Sequence, residues 1–93
     1  MKSIISNEKQ CFFCGRTMPL ETHHVFEGTA NRKISEKYGC TVYLCHEHHT
    51  GNTGVHFDKQ KDLYLKRKTQ DEWQKRYGDR DAFIRVFGKS YLI

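Results

Sequence analysis

The sequence predicts one α+β domain, with two short strands in its first half and helices filling the second. Three observations carry that expectation. The first is size: 93 residues with 37% hydrophobic content and a mean hydropathy of −0.81 supply one small core and leave no room for a second catalytic domain. The second is a pair of strand-like runs, Glu21–Phe26 and Thr41–Leu44, set off by Gly28 and Gly39. The third is the change after Phe57 to helix-forming residues with start signals at Asp58 and Asp79 and stop signals at Gly78 and Gly88. A core this small is marginal, so a staple is expected.

Taken in order, residues 1–10 read as a polar lead-in, frayed or lightly packed. The opening Met1–Asn7 is too short and polar for a signal peptide, and no apolar run reaches the roughly 18–20 residues of a spanning helix. A soluble, intracellular protein with no membrane partner is expected. Glu21–Phe26 forms the first strand, and the polar stretch from Gly28 to Gly39 is a loop or a short helical turn carrying Arg32, Lys33 and Lys37. Thr41–Leu44 forms the second strand. His46–Thr50 has room for about one and a half helical turns before Gly51, Asn52 and Gly54 stop it, which leaves His56 beyond a turn.

In the second half, Leu63, Tyr64, Trp73 and Tyr77 are the expected buried positions. Thr69-x-x-Glu72 reads as a capping box, so one helix should close near Arg67 and another open at Gln70, ending at Gly78. Asp79 caps a third segment, Arg80–Phe87, with Phe83, Val86 and Phe87 on one face and Gly88 as its stop. The tail Lys89–Ile93 should pack back onto the core. Trp73, Tyr77, Phe83 and Phe87 read as core residues rather than base-stacking ones. The basic run Lys59, Lys61, Lys66, Arg67 and Lys68 fits either a solvated helix face or phosphate contact.

All four cysteines and all six histidines lie between Cys11 and His56. Scattered core residues would not cluster so. Disulfides are disfavoured inside cells, and Phe12-Phe13 between the first thiols does not resemble the strand-to-helix setting of a redox pair. Cys11-x-x-Cys14 and Cys45-x-x-His48 therefore read as two facing zinc knuckles, whose two-residue spacers let both side chains of each knuckle meet one ion. The rival set Cys11, Cys14, Cys40 and Cys45 requires Thr41–Leu44 to be a tight loop. If that stretch is a strand, it holds Cys40 and Cys45 about 16 Å apart.

Once that site is filled, His23, His24, His49 and His56 are left over, with His46 solvated. Cys11-x-x-Cys14, Glu21-Thr22-His23-His24-Val25 and Leu44-Cys45-x-x-His48-His49 together resemble the HNH endonucleases of the ββα-metal fold, in particular the zinc-knuckle type of small phage proteins. The resemblance covers residues 11–49 well and His56 more loosely. It implies a hairpin-helix core stapled by structural zinc (Zn2+), with the C-terminal helices packed on it. It also implies metal-dependent DNA cleavage, with His24 as general base and His23 and His49 holding a divalent catalytic ion. In a phage protein the compartment would be the host cytoplasm.

The sequence departs from the family pattern in two places. The motif's middle Asn falls on Cys40, so Cys40 replaces it, or Asn31 reaches the same place, or the bond orienting His24 is missing. The family's further helix-side ligand falls on Thr53, and His56, folded back by the Gly51–Gly54 turn, is the better ligand. A third expectation comes from strand geometry: neighbours on a regular strand face opposite ways, so a bulge or strand end is expected at His23-His24.

Neutral imidazoles can accept a proton from water at physiological pH. Three of them with no carboxylate pair point to one ion. Imidazole suits Zn2+, Ni2+ or Mn2+, whereas the family often works with Mg2+ or Mn2+, so the ion stays open. The formal charge of +5 favours DNA as partner, with phosphate contacts from Arg16, Arg32 and Lys33. So small a domain has few side chains for base edges, and any targeting would come from a homodimer, a partner protein or structure-selective binding. A non-catalytic zinc module for nucleic-acid or protein interaction is the alternative on the same scaffold.

Overall fold

The computed structural model describes residues 3–92. Its elements run β1 (Glu21–His24), α1 (Thr29–Tyr38), β2 (Thr41–Leu44), α2 (His46–His49), α3 (Lys59–Arg76) and α4 (Arg80–Phe87). The two strands pair antiparallel, with Glu21 opposite Leu44 and His24 opposite Thr41. The result is a small α+β unit in which one hairpin carries helices. No helix among the described residues is long and apolar enough to cross a membrane.

The connection between the strands is more ordered than its sequence suggests. Gly28–Gly39 holds a ten-residue helix rather than a loop or a single turn. Ile34 and Tyr38, one turn apart, pack against the core, and Ser35 is fully buried, donating to the Phe26 carbonyl at 3.1 Å. Gly39 ends α1 in the left-handed conformation at φ 74°, a position that suits glycine because it lacks a Cβ. Cys40 and β2 follow at once.

The core is aromatic. Phe26 is fully buried, with ring centroids 4.5 Å from Phe87, 5.2 Å from Phe83 and 5.6 Å from Tyr91. Trp73 closes the cluster 5.4 Å from Phe83. Tyr91 is pinned by its N–H to Gln70 Oε1 at 2.7 Å, so the tail packs back onto α3 at Tyr91. Ile93 lies outside the described residues.

Three local expectations are corrected. The Thr69-x-x-Glu72 pattern opens no new helix: α3 runs unbroken from an Asp58 cap, whose side chain accepts from the N–H groups of Gln60 and Lys61, to Arg76. Leu65, Thr69 and Trp73 form its buried stripe at a spacing of four, and helix formers on both sides carry the helix through. That stripe excludes Tyr64 and Tyr77, which are exposed, and leaves Leu63 half-buried. The lead-in is also packed: Ser3 is buried, Ile4 and Ile5 lie against the core, and the Ile4 N–H donates to the Gly39 carbonyl at 2.9 Å. Asp79 caps α4 by accepting from the Ala82 N–H, and Gly88 ends it, as expected.

Phe26→Ala is expected to lower unfolding free energy by about 3–5 kcal/mol, as large-to-small changes in a tight aromatic cluster do. Urea unfolding checks this through a lower midpoint at unchanged slope. A midpoint within error of wild type would contradict the packing described.

Candidate functional site

The first knuckle and the start of α2 meet. Cys11, Cys14, Cys45 and His48 offer ligand atoms that all lie within 4.8 Å of one another. Cys11 Sγ is 3.7 Å from His48 Nδ1, Cys14 Sγ is 3.7 Å from Cys45 Sγ, and Cys45 Sγ is 3.3 Å from His48 Nδ1. Tetrahedral bonds of about 2.0–2.3 Å place ligand atoms about 3.3–3.8 Å apart, so these separations are edges of a zinc-sized tetrahedron. The four residues are close enough to hold a metal ion, and three thiols with one imidazole are consistent with zinc.

The thiols respond to their surroundings in different ways. Burial opposes ionisation of Cys11, but backbone N–H groups of Cys45, Cys14 and Phe13 outweigh it and lower its pKa. At Cys14 the Arg16 N–H favours the thiolate, yet desolvation and the neighbouring Cys11 and Cys45 thiols prevail and raise the pKa. Crowded sulfurs resist ionising together.

Cys40 is in neither the metal cluster nor the groove. It is fully buried among core residues, and burial alone pushes its thiol up to about 12. The strand reading of Thr41–Leu44 holds, so the four-cysteine alternative falls. The expected catalytic role for Cys40 is corrected too, because its side chain packs in the core. Asn31 does not take that place either, since its side chain donates to the Phe87 carbonyl at 3.2 Å.

A second cluster lies on the other side of α2. His23, His49 and His56 bring ligand nitrogens within 4.8 Å of one another. Their ring centroids are separated by 5.2 Å (His23 to His49), 5.6 Å (His23 to His56) and 4.9 Å (His49 to His56). His56 is folded back by the expected turn: the Val55 N–H donates to the His48 carbonyl and the His56 N–H to the His49 carbonyl. Gly54 makes that turn possible, because a Cβ there would lie 2.6 Å from the His49 carbonyl oxygen. Thr53 is not a ligand, since its hydroxyl donates to Glu47 Oε1 at 2.9 Å.

His23 is the buried member, 2% exposed, and its Nε2 has no hydrogen-bond partner. Burial, then the positive potential of His49, His56, His24 and Lys66, holds its pKa down at about 3. It is therefore neutral throughout the physiological range, with a ligating electron pair free. A buried nitrogen left without a partner calls for an explanation, and a divalent ion among the three imidazoles would supply one. Glu21 supports the same arrangement from behind. Its Oε1 accepts from His49 Nδ1 at 2.7 Å, which in the neutral imidazole puts the single ring proton on Nδ1 and the free electron pair on Nε2, as a carboxylate behind a ligating histidine does. That hydrogen bond, opposed by desolvation and aided by His46, lowers the Glu21 pKa.

His24 completes the set from the last position of β1. Pairing is regular up to that residue and the strand ends there, so the irregularity expected at the pair is a strand end rather than a bulge. His23, His24, His49 and His56 line one open groove of about 740 Å³, together with Thr29, Arg32, Lys33 and Glu36 of α1. Arg32 and Lys33 are exposed on α1 and line this groove. Arg16 lies outside the groove, on the exposed turn after the first knuckle, where its carbonyl accepts from the Cys11 N–H.

Glu36 has no counterpart among the residues singled out in the sequence. Its Oε1 is 2.9 Å from His24 Nε2. Reading Gly28–Gly39 as a loop hid it; once that stretch is a helix, Thr29, Arg32, Lys33 and Glu36 fall on one face at helical spacing. No protein-family model, curated protein or solved structure matches the chain.

Cys14→Ala is expected to abolish folding, because a structural zinc contributes on the order of 10 kcal/mol to domains whose net stability is about 5–15 kcal/mol. Cys40→Ala should keep full metal content and cost little beyond a small cavity. Circular dichroism with metal analysis checks both. A soluble, normally melting Cys14→Ala protein would contradict the structural role of the first cluster.

Proposed function

We propose that the protein is a metal-dependent DNA endonuclease of the HNH, ββα-metal kind, hydrolysing phosphodiester bonds with His24 as general base. One observation carries this reading: three imidazoles with converging nitrogens share a groove with a fourth, carboxylate-bonded histidine and with two cationic side chains. The hairpin β1–β2 followed by α2 is the arrangement such a site calls for. Resemblance in the motifs His23-His24 and Cys45-x-x-His48-His49 supports it as well.

His23, His49 and His56 would hold the divalent ion. Three protein ligands leave a coordination position open. The bound ion would stabilise charge growing on the phosphoryl oxygens and the 3′ leaving oxygen. His23 contributes a neutral imidazole held away from solvent, and Glu21 keeps His49 Nε2 bare. His24 takes the proton of the attacking water. Arg32 and Lys33 bind the phosphate backbone and set its position in the groove, without reading bases. In-line attack then gives 5′-phosphate and 3′-hydroxyl ends. An all-imidazole set suits Zn2+, Ni2+ or Mn2+ better than Mg2+. Targeting would come from a second copy or a partner protein.

Supercoiled plasmid incubated with the protein and Mn2+ is expected to be nicked, and EDTA should stop the reaction. His24→Ala should lose about 100-fold or more of the rate while fold and Cys-cluster metal survive. Wild-type rates from that variant would remove His24 from the base role. Plasmid left intact with Mn2+, Mg2+, Zn2+ and Ni2+ alike would overturn the nuclease reading in favour of a non-catalytic zinc module. Replacing both Arg32 and Lys33 with Ala should weaken duplex binding equally across sequences and reduce the salt slope by about 2. An unchanged slope would place the phosphate contacts elsewhere.

A further inference from the structure

We infer that Glu36 is the positioning residue for His24, holding the imidazole in the tautomer that carries its proton on Nε2. This rests on the nuclease reading for its functional consequence, but the contact itself stands apart from it. β1 ends at His24, and α1 runs back past that end, so that the helix's third turn brings the Glu36 carboxylate to 2.9 Å from His24 Nε2. An ionised carboxylate only accepts hydrogen bonds, so Nε2 must be the donor. In a neutral imidazole the other nitrogen then has no proton, and Nδ1 is left as the proton acceptor.

The rest of the fold leaves this task to Glu36. Cys40 lies in the core and Asn31 is occupied by the Phe87 carbonyl. Side-chain exposure also fits an orienting pair at a groove wall: His24 is 12% exposed and Glu36 65%. The histidine is held by its surroundings, while the carboxylate reaches in from the surface of α1. The same helix face carries Arg32 and Lys33, so one element both attracts phosphate and sets the base. An acidic side chain beside a DNA groove weakens backbone binding by like-charge repulsion, and that cost makes the test directional.

The experiment uses the full chain, a labelled DNA duplex with Mn2+, and nitrogen-15 NMR of the histidine rings. Glu36 is on an exposed helix face, where substitution leaves the fold intact. Glu36→Ala is expected to lower kcat about tenfold, less than the loss of the base itself, with KM for the duplex unchanged or lower. The His24 signals should move from a protonated Nε2 to a mixture of tautomers. Glu36→Gln, whose amide oxygen can still accept from Nε2, should restore the tautomer and most of kcat. A residue acting only through its charge would move KM with kcat unchanged and would not be rescued by the neutral amide, and one acting only through stability would leave the His24 ring signals of the folded protein unchanged. Unchanged kcat and unchanged ring signals in Glu36→Ala would overturn the inference. If the wild-type protein cuts nothing, the nuclease reading fails, and the ring signals alone still decide whether Glu36 fixes His24.

Discussion

The structure depends on the closure of Cys11, Cys14, Cys45 and His48 around one point. That clamp ties the N-terminal knuckle to the start of α2, a helix of only four residues that could not hold its shape alone. His48 and His49 are neighbours on it, and consecutive helical residues point about 100° apart. When His48 is drawn into the clamp, His49 is turned toward β1. The turn after α2 then carries His56 back beside His49 through the backbone bonds at Val55 and His56. The first cluster thus helps to set the α2 side of the second, which places His49 and His56.

β1 supplies the opposite wall by simple alternation. Glu21 and His23, two apart, both reach His49, one through a carboxylate hydrogen bond and one by ring contact. His24, at the strand's end, meets α1 instead. A four-residue strand therefore contributes a buried imidazole, a carboxylate behind a second imidazole, and a separately oriented third. The aromatic core around Phe26 holds the hairpin to α3 and α4 and keeps this wall in place.

The cysteine-rich cluster was legible in the sequence because ligand spacing is a local property: two-residue spacers confine where Cys14 and His48 can go, whereas the meeting of His23 with His49 was expected from the motif resemblance, and the glycine-rich turn only confines His56. The second strand, the short α2 and the capped α4 were legible for the same reason. α1 was not. Its start is Gly28 with no side-chain cap, and its apolar face is little more than Ile34 and Tyr38, so the pattern reads as polar loop; packing against the core decides its shape. Glu36 was lost with it. Thr69-x-x-Glu72 misled in the other direction, since a capping box and a continuous buried stripe can share the same letters and only burial of Leu65, Thr69 and Trp73 distinguishes them. Cys40 misled because alignment to a motif position carries no information on which side of a strand the residue enters.

The three imidazoles outside the thiol-rich cluster are expected to form a second, distinct metal centre. Anomalous diffraction from crystals grown with zinc and soaked in Mn2+ tests it most directly. Two peaks per chain are expected: a zinc peak among Cys11, Cys14, Cys45 and His48, and a manganese peak among His23, His49 and His56. A single peak at the cysteines, with His23 Nε2 instead bonded to water or to protein, would contradict it.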